Sequence, residues 1–458
     1  MEECISLGKI KLNLLNMKVL HIIPGSGGSF YCGNCLRDSK YVDALRESDH
    51  SVVKLPMYLP LFADEHDLSG EIPVFYGAIS IYLKQLFPLF RRAPEWVDNL
   101  LNSGPMLKIA AKYAGSTRAK GLEEMTISML MGEEGQQKEE LDRMVNWIAE
   151  NCEPDVIHLS NALLLGLAHR LNKKLNVPVI CSLQDEDVWA DVMSERSRKK
   201  VWDLMSGKSE HVAAFISVSD YYSNEMKKHI HLEDGKLHSI HIGVYPEDYE
   251  YTPPSEKPRN IGYVSRMCEE NGLDILVDAF IELKKEEKYN DVKLILTGGH
   301  TGDDKNYLKN IRQALRKNGL QDSVEFHEDF EEEGLREYFR KVSMISVPVK
   351  KGEAFGIYLL EAMASGIPVV QPALGAFPEI VGLAGGGKVY EPNTPQQLAK
   401  ELKSLLDDPV ELERLSLQGR KGIEEHYHVS TQVDKMINVY EGAISENKKV
   451  LKKTYSKV

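Results

Sequence analysis

Cysteine is scarce in this chain, with six among 458 residues, too few and too scattered for a disulfide scaffold. Long apolar runs are missing as well. No uninterrupted stretch reaches the roughly 20 residues that a membrane-spanning helix requires. The amino terminus opens Met-Glu-Glu without the apolar core of a secretory leader, so a cytoplasmic protein is expected, with the first sixteen residues dispensable and Met17 as a natural start. Excess positive charge is also lacking. Lys and Arg total 56 against 69 Asp and Glu, a formal net charge of −13, which argues against a nucleic-acid partner. What remains is ordinary globular composition, 42% hydrophobic and 27% charged, in a length sufficient for two or three domains with full cores.

The most informative stretch is EAFGIYLLEAMASGIPVVQP, residues 353–372. It opens on Glu353, passes Gly356, runs into an apolar helix carrying Glu361, stops at Gly366 and continues as the buried-strand pattern Ile367, Pro368, Val369, Val370. A helix N-terminus presents unpaired amides and a partial positive charge, so a phosphate can dock there. The peptide units of Phe355, Gly356 and Ile357 lie at that terminus, and Gly356 lets a ligand approach the backbone. Eight residue steps at the helical rise place Glu353 and Glu361 roughly 12 Å and about 80° apart, so both can face one cleft. An acid at each end of a phosphate-binding turn suits a nucleotide-sugar, with sugar hydroxyls at one end and ribose hydroxyls at the other. The plainer reading of two such acids is a helix with one exposed carboxylate at either end.

Alternating strand and helix patterns run through the rest of the chain, the signature of parallel sheets covered on both faces. Lys18–Ile23 reads as a buried strand, followed by Pro-Gly-Ser-Gly-Gly-Ser and a helix from about Asn34 to Glu47. Strand, Gly-rich turn and helix form a phosphate-approach arrangement, with Gly27 and Gly28 as the close-contact positions. A dinucleotide site is the alternative, weakened because the third glycine of G-x-G-x-x-G is missing; a simple tight turn is another. Cys32 and Cys35 form Cys-x-x-Cys at that helix start, readable as redox or metal chemistry or as two small buried residues.

Leu55–Leu61 is strand-like. A long insertion follows over about residues 64–151, mostly helical in pattern, including Leu122–Met131 and Glu139–Glu150. Its aromatics Phe75, Tyr76, Tyr82, Phe87, Phe90 and Trp96 either line an acceptor pocket or fill a subdomain core. Pro154–Leu159 is the next strand, with Ser160 and Asn161 at its C-terminal end, where open α/β sheets bind ligands. A helix Ala162–Asn176 leads to the strand Pro178–Leu183 and then Gln184 and Asp185. These polar strand ends suit hydroxyl recognition or helix capping. Phe215–Ser219 and Leu237–Ile242 are further strands. The stretch from Tyr245 to Lys257, with Pro253 and Pro254, reads as an interdomain linker able to hinge over a ligand. The second half continues with strands at Asn260–Ser265, Lys293–Thr297, Ser323–His327 and Ser343–Val347. Arg266 and Asn271 follow the first of these, and His327 ends the third. A last helix is expected over Thr431–Lys449, and the basic tail to Lys457 allows peripheral membrane contact without indicating it.

Glu-x7-Glu with Phe-Gly after the first acid, then Leu-Leu-Glu-Ala-Met-Ala-Ser-Gly-Ile-Pro-Val-Val, closely resembles the retaining glycosyltransferases of family 4. Gly375 to Val381 resembles that family's Gly-x-x-Pro-Glu-Ile-Val segment, and His426-Tyr427-His428 its ending before the last helix. The resemblance implies a GT-B fold. An N-terminal Rossmann-like acceptor domain would span 17–245, a nucleotide-sugar-binding domain 255–428, and a helix over 429–458 would cross back to the first. It also implies metal-free, cofactor-free transfer from an NDP-sugar to an unidentified acceptor. Glu353 and Arg266 would be catalytic. Gly27, Gly28, Arg266, Asn271, His327, Phe355, Gly356, Ile357 and Glu361 would bind donor, and Ser160, Asn161, Gln184 and Asp185 would contact acceptor or sugar. Three positions depart from the pattern: Asn271 replaces the lysine of the family's Arg-x4-Lys-Gly, while Ser160 and Gln184 replace histidines. Those departures motivate an alternative, a GT-B protein that holds a nucleotide-sugar or glycan without transfer. Another GT-B chemistry, such as a phosphorylase-like or epimerase reaction, is a third reading.

Overall fold

The computed structural model describes residues 16–24, 33–57, 122–233, 235–327, 329–330 and 332–455. Elements are numbered over these residues. The first sheet has strands β1 (Lys18–Ile23), β2 (Ser51–Pro56), β3 (Val156–Leu159), β4 (Val179–Leu183), β5 (Ala214–Ser217) and β6 (Leu237–Ser239), the second β7 (Ile261–Val264), β8 (Leu294–Thr297), β9 (Val324–Phe326), β10 (Met344–Ile345), β11 (Val369–Pro372) and β12 (Gly387–Tyr390). Helices in the first half are α1 (Gly33–Glu47), α2 (Glu123–Met131), α3 (Lys138–Asn151), α4 (Ala168–Leu175), α5 (Glu186–Asp191), α6 (Glu195–Lys208) and α7 (Asp220–Met226). In the second half they are α8 (Leu273–Leu283), α9 (Lys305–Lys317), α10 (Glu332–Arg340), α11 (Ile357–Ala364), α12 (Phe377–Ala384), α13 (Pro395–Leu406), α14 (Pro409–His426) and α15 (Val429–Tyr455).

Both sheets are wholly parallel, and most strands are buried along their full length, as apolar runs such as VIHL, VICSL and LILT require. The first sheet has order β2-β1-β3-β4-β5-β6 and the second β12-β11-β10-β7-β8-β9. Each order reverses direction once, between β1 and β3 in the first sheet and between β7 and β10 in the second. Side chains can enter the crevice beyond the strand ends at such a reversal. Glu353 follows β10 and Arg266 follows β7, so the second reversal lies beside the motif; Ser160 follows β3 and lies at the first.

Two joints connect the halves. Val244 donates its amide to Tyr427 O at 2.9 Å and accepts from Val429 N at 2.9 Å, so the outgoing and returning chains pair where they cross. A Cβ on Gly243 would lie 2.5 Å from Val429 Cα, which explains glycine there. Beyond this joint α15 lies on the first sheet. Val433, Met436, Tyr440 and Ile444 join a buried cluster with Val19, Tyr41, Val156 and Ile216, and Tyr440 OH lies 2.5 Å from His158 Nδ1.

Several boundaries differ from expectation. β2 starts at Ser51, ahead of the expected 55–61 run, because Val52 to Leu55 already pair with β1 and Pro56 closes the ladder. The expected helix 162–176 divides into a 3₁₀ segment, Ala162–Leu167, and α4. At the division, Gly166 lies so close to α2 that a Cβ would sit 2.0 Å from Met129 O. β6 and β10 are shorter than expected, whereas α15 runs longer at both ends. α6 was not anticipated. Cys32, the aromatics from Phe75 to Trp96 and the end of the basic tail lie outside the described residues. None of the described helices is long and apolar enough to cross a membrane.

Candidate active site

The site forms where the loops after β7 and β10 meet the start of α11. Gly356 precedes the helix with φ 95°, a backbone conformation that favours glycine. All eight residues of α11 are buried, which fixes its axis. Among the described residues none accepts from the amides of Phe355, Gly356 or Ile357, leaving those donors available at the positive end of the helix.

Glu353 is half-buried at this end, and Tyr358 OH donates to its Oε2 at 2.7 Å. Burial pushes the carboxyl up to about 7, with the Tyr358 hydroxyl opposing and the charge of Asp185 adding. Asp185 belongs to the first half, so a charge on one half acts on a carboxyl of the other. Gly375, at φ 60°, keeps the Glu353 backbone in place, since a Cβ there would lie 2.3 Å from Glu353 N. Glu361, 3% exposed, accepts from Tyr249 OH at 2.8 Å. Tyr249 lies in the chain between the sheets, so that segment reaches the second turn of α11. Arg420 Nη1 holds it there through the carbonyls of Pro246, Tyr249 and Ala364.

Arg266 is held by Asp304, with Nε at 3.0 Å from Oδ2 and Nη2 at 3.1 Å from Oδ1, and Nη2 also donates to Thr301 Oγ1. Asp304 is itself buried and accepts from Thr301 N and Oγ1. Asn271 Nδ2 donates to Ser265 Oγ and to Arg266 O, so this residue ties down the loop that carries the arginine. Lys350 is a cation close to that loop, its Nζ 2.8 Å from Asp274. His327 lies apart at the end of β9, its Nε2 3.0 Å from Gly334 O.

On the first sheet, Ser160 O accepts from both Gln184 Nε2 at 2.8 Å and Arg37 Nη2 at 3.1 Å. Among the described residues, Ser160 Oγ, Gln184 Oε1 and Arg37 Nη1 are buried without hydrogen-bond partners. Asn161 caps the following turn through Leu163 N, the capping role its position allowed. Asp185 adopts φ 55° ahead of α5. Beneath it, Glu186 accepts from the amides of Ala162 and Gln184 and from Tyr222 OH. Burial pushes Glu186 up to about 8 against those donors. Gly27 and Gly28 lie outside the described residues, but the start of α1 reaches the site: a Cβ on Gly33 would meet Ile357 Cγ2 at 3.2 Å.

Three further contacts close the two halves together. Ser219 Oγ donates to Ala354 O at 2.7 Å, Glu379 accepts from the amides of Asp220 and Tyr221 at the start of α7, and His241 Nε2 lies 2.5 Å from Glu379 Oε1. Burial pushes Glu379 up, but the His241 and amide contacts reverse it, so its carboxyl lies below the usual range. Tyr249, Tyr358, Arg37, Asp304 and His241 were not anticipated from sequence. Only Tyr358, one turn beyond Glu353 on the same segment, carried a local signal.

Residues 246–422 match the family described as Glycosyl transferases group 1, and residues 132–248 match Glycosyltransferase Family 4. An uncharacterized glycosyltransferase of Methanocaldococcus jannaschii is 24% identical over 304 residues, 63% of this chain and 76% of that one. Sucrose-phosphate synthase from Thermosynechococcus elongatus superposes with a TM-score of 0.69 over 93% of this chain and 99% of that one, at 18% identity. HepE of Anabaena, solved in complex with UDP, gives 0.65 over 93% and 100%, at 16% identity. At such identities the structural likeness speaks for the fold, two facing doubly wound domains. Motif, topology and family matches agree, and the chain belongs to the group 1, family 4 glycosyltransferases with a GT-B fold.

Proposed function

We propose that this glycosyltransferase moves a sugar from an NDP-sugar to an acceptor with retention of configuration and without a resident metal. The observation that carries this reading is the pair of acids on either side of the start of α11, Glu353 ahead of it and Glu361 in its second turn, each held by a tyrosine hydroxyl, with open amides between them. In the proposed complex the diphosphate lies against the amides of Phe355, Gly356 and Ile357. Glu353 accepts from sugar hydroxyls. Glu361 accepts from the ribose, exchanging its Tyr249 contact for the ligand's hydroxyls. Arg266, whose family counterpart grips the diphosphate, turns at least one guanidinium edge from Asp304 toward the leaving phosphate. Charge developing on that phosphate is stabilised by donors already in place, which lowers the barrier without a strong base. Asp185 and Gln184 face the acceptor. HepE is solved with UDP and with UDP-glucose, which supports a nucleotide-sugar donor here.

The test is product analysis with a panel of UDP-, GDP- and ADP-sugars, with the anomeric configuration of the product read by NMR. A retained anomer supports the proposal; an inverted one contradicts it. A second reading, binding without transfer, is favoured by one observation: Asn271 stands at the lysine position with its amide committed to the loop, so Arg266 lacks the usual companion cation. Tight donor binding with neither transfer nor hydrolysis across the panel selects that reading.

A further inference from the structure

Outside the cleft, α9 carries five basic residues and no acidic one. Lys305, Lys309, Arg312 and Arg316 recur at steps of four, three and four, which places them within roughly 60° of one another on a stripe about 16 Å long. All four are exposed. Leu308, Ile311 and Leu315 anchor the helix on its neighbouring face. The stripe borders a recess of about 610 Å³ that His300 and Gln313 also line. Among the described residues none of the four cations has a carboxylate partner. The same domain pairs other surface cations: Arg259 with Asp291, Lys288 with Asp407, Arg340 with Glu250, Lys341 with Glu325 and Lys403 with Glu286. Arg312 is held in place, its guanidinium 3.7 Å from the centre of the Phe326 ring.

An unneutralised cationic line on a protein of net charge −13 calls for an anionic partner. Its form points to a chain. The cations follow one another along a recess, and the lining offers no exposed apolar side chain to enter a bilayer. Its position points to the acceptor. Lys305 directly follows Asp304, which holds Arg266, and both follow the C-terminal ends of β8 and β7, so the stripe starts at the mouth of the cleft and runs outward. We propose that α9 docks an anionic glycan chain, one carrying carboxylate, sulfate or phosphodiester groups, whose end enters the cleft as acceptor. This rests on the glycosyltransferase reading and names its acceptor class.

The experiment compares the full chain with Lys309→Glu/Arg316→Glu, which leaves Arg312 on Phe326 and touches no residue assigned to donor binding. The probes are a heparin-derived dodecasaccharide, a neutral dextran of equal length, and vesicles containing phosphatidylglycerol. The dodecasaccharide is expected to bind the parent protein, with affinity falling about tenfold or more in the variant and the salt dependence becoming shallower, as the loss of two cation contacts requires. Dextran is expected to bind neither protein. A photoreactive group on the non-reducing end of the dodecasaccharide is expected to label peptides carrying residues 160–187 or 353–361. Equal dodecasaccharide affinity in the two proteins overturns the proposal. So does labelling confined to the outer surface, or vesicle binding that collapses in the variant while glycan binding persists. Lys309→Gln/Arg316→Gln, a milder change, is expected to shift affinity in the same direction. UDP-sugar binding, measured in parallel, is expected to stay within about twofold in the variant, since these exposed cations lie away from the donor contacts. Its absence from both proteins would remove the glycosyltransferase reading while leaving the α9 result standing.

Discussion

The two crevices of this molecule differ in how far their polar groups are satisfied. At the β7–β10 reversal nearly every named side chain has a protein partner: Glu353 with Tyr358, Glu361 with Tyr249, Arg266 with Asp304, Asn271 with Ser265. At the β1–β3 reversal, Ser160 Oγ, Gln184 Oε1 and Arg37 Nη1 are buried with none among the described residues, around one shared carbonyl. A buried polar group left unmet costs about 1–3 kcal/mol, so under the proposed function ligand hydroxyls or ordered water complete this side. The donor side instead starts from a formed hydrogen-bond set that a ligand must exchange. The comparison predicts that donor affinity depends on replacing tyrosine contacts, whereas acceptor affinity depends on filling empty ones.

The sharpest way to break that contrast is Glu353→Gln. If the carboxylate positions the sugar, kcat/KM falls by about 10²–10³-fold, the loss typical of removing one preorganised contact to a reacting group. The parent profile should rise with pH and level off above about 7, where Glu353 is ionised. The glutamine variant should lose that limb. Stability moves the other way. The folded-state carboxyl titrates near 7 and the unfolded one near 4.5, so the folded protein holds the extra proton between those values, and stability from this group falls as pH rises through that window.

Next in size is Glu361→Ala, expected to weaken nucleotide binding by about tenfold or more, on the order of 1.5–3 kcal/mol for a contact to a charged group. Calorimetric titration with the nucleoside diphosphate measures it. Tyr249→Phe removes the hydroxyl that donates to this carboxylate and is expected to tighten nucleotide binding, or at least not weaken it. Weakening would mean Tyr249 is part of the bound complex and not a placeholder. On the other crevice, Gln184→Ala is expected to raise acceptor KM by about fivefold, near 1 kcal/mol, without changing donor affinity. An effect on donor affinity alone would merge the two crevices into one site.

How much of this was legible in the sequence follows the range of the interactions. Buried strands announce themselves as apolar runs, so β1, β4 and β8 fell close to expectation, and Glu353, Gly356 and Glu361 were readable because their relation is local to one helix. Contacts across distance were not. Asp304 reaches Arg266 from 38 positions away, Tyr249 reaches Glu361 from 112, and Arg37 meets Ser160 from 123. No local pattern encodes such meetings; the parallel topology of each sheet, which sets distant strand ends side by side, and the path of the chain between the sheets create them. Asn161 shows the converse, a polar strand end whose side chain is occupied in capping a turn.

A last expected effect, on stability alone, concerns the chain between the sheets. There Lys257 is buried and donates to Ser365 O just beyond the end of α11, and burial pushes its amine down to about 7. The unfolded lysine keeps its proton up to about 10.5, so the unfolded state binds more protons between those values and stability rises with pH there. Lys257→Met should remove about 1.4 kcal/mol of the stability gained between pH 8 and pH 9, the value of one pKa unit, read by urea unfolding at both values. An unchanged slope would place the amine in contact with solvent.

A donor-bound crystal structure tests most directly the central claim, a sugar diphosphate lying against the start of α11 with Glu353 ahead of that start and Glu361 one turn into the helix. It should show phosphate oxygens within hydrogen-bond distance of the amides of Phe355, Gly356 or Ile357, with ribose hydroxyls on Glu361 where Tyr249 now donates. Phosphates bound to the first sheet, or turned away from α11 with Tyr249 still on Glu361, would contradict it.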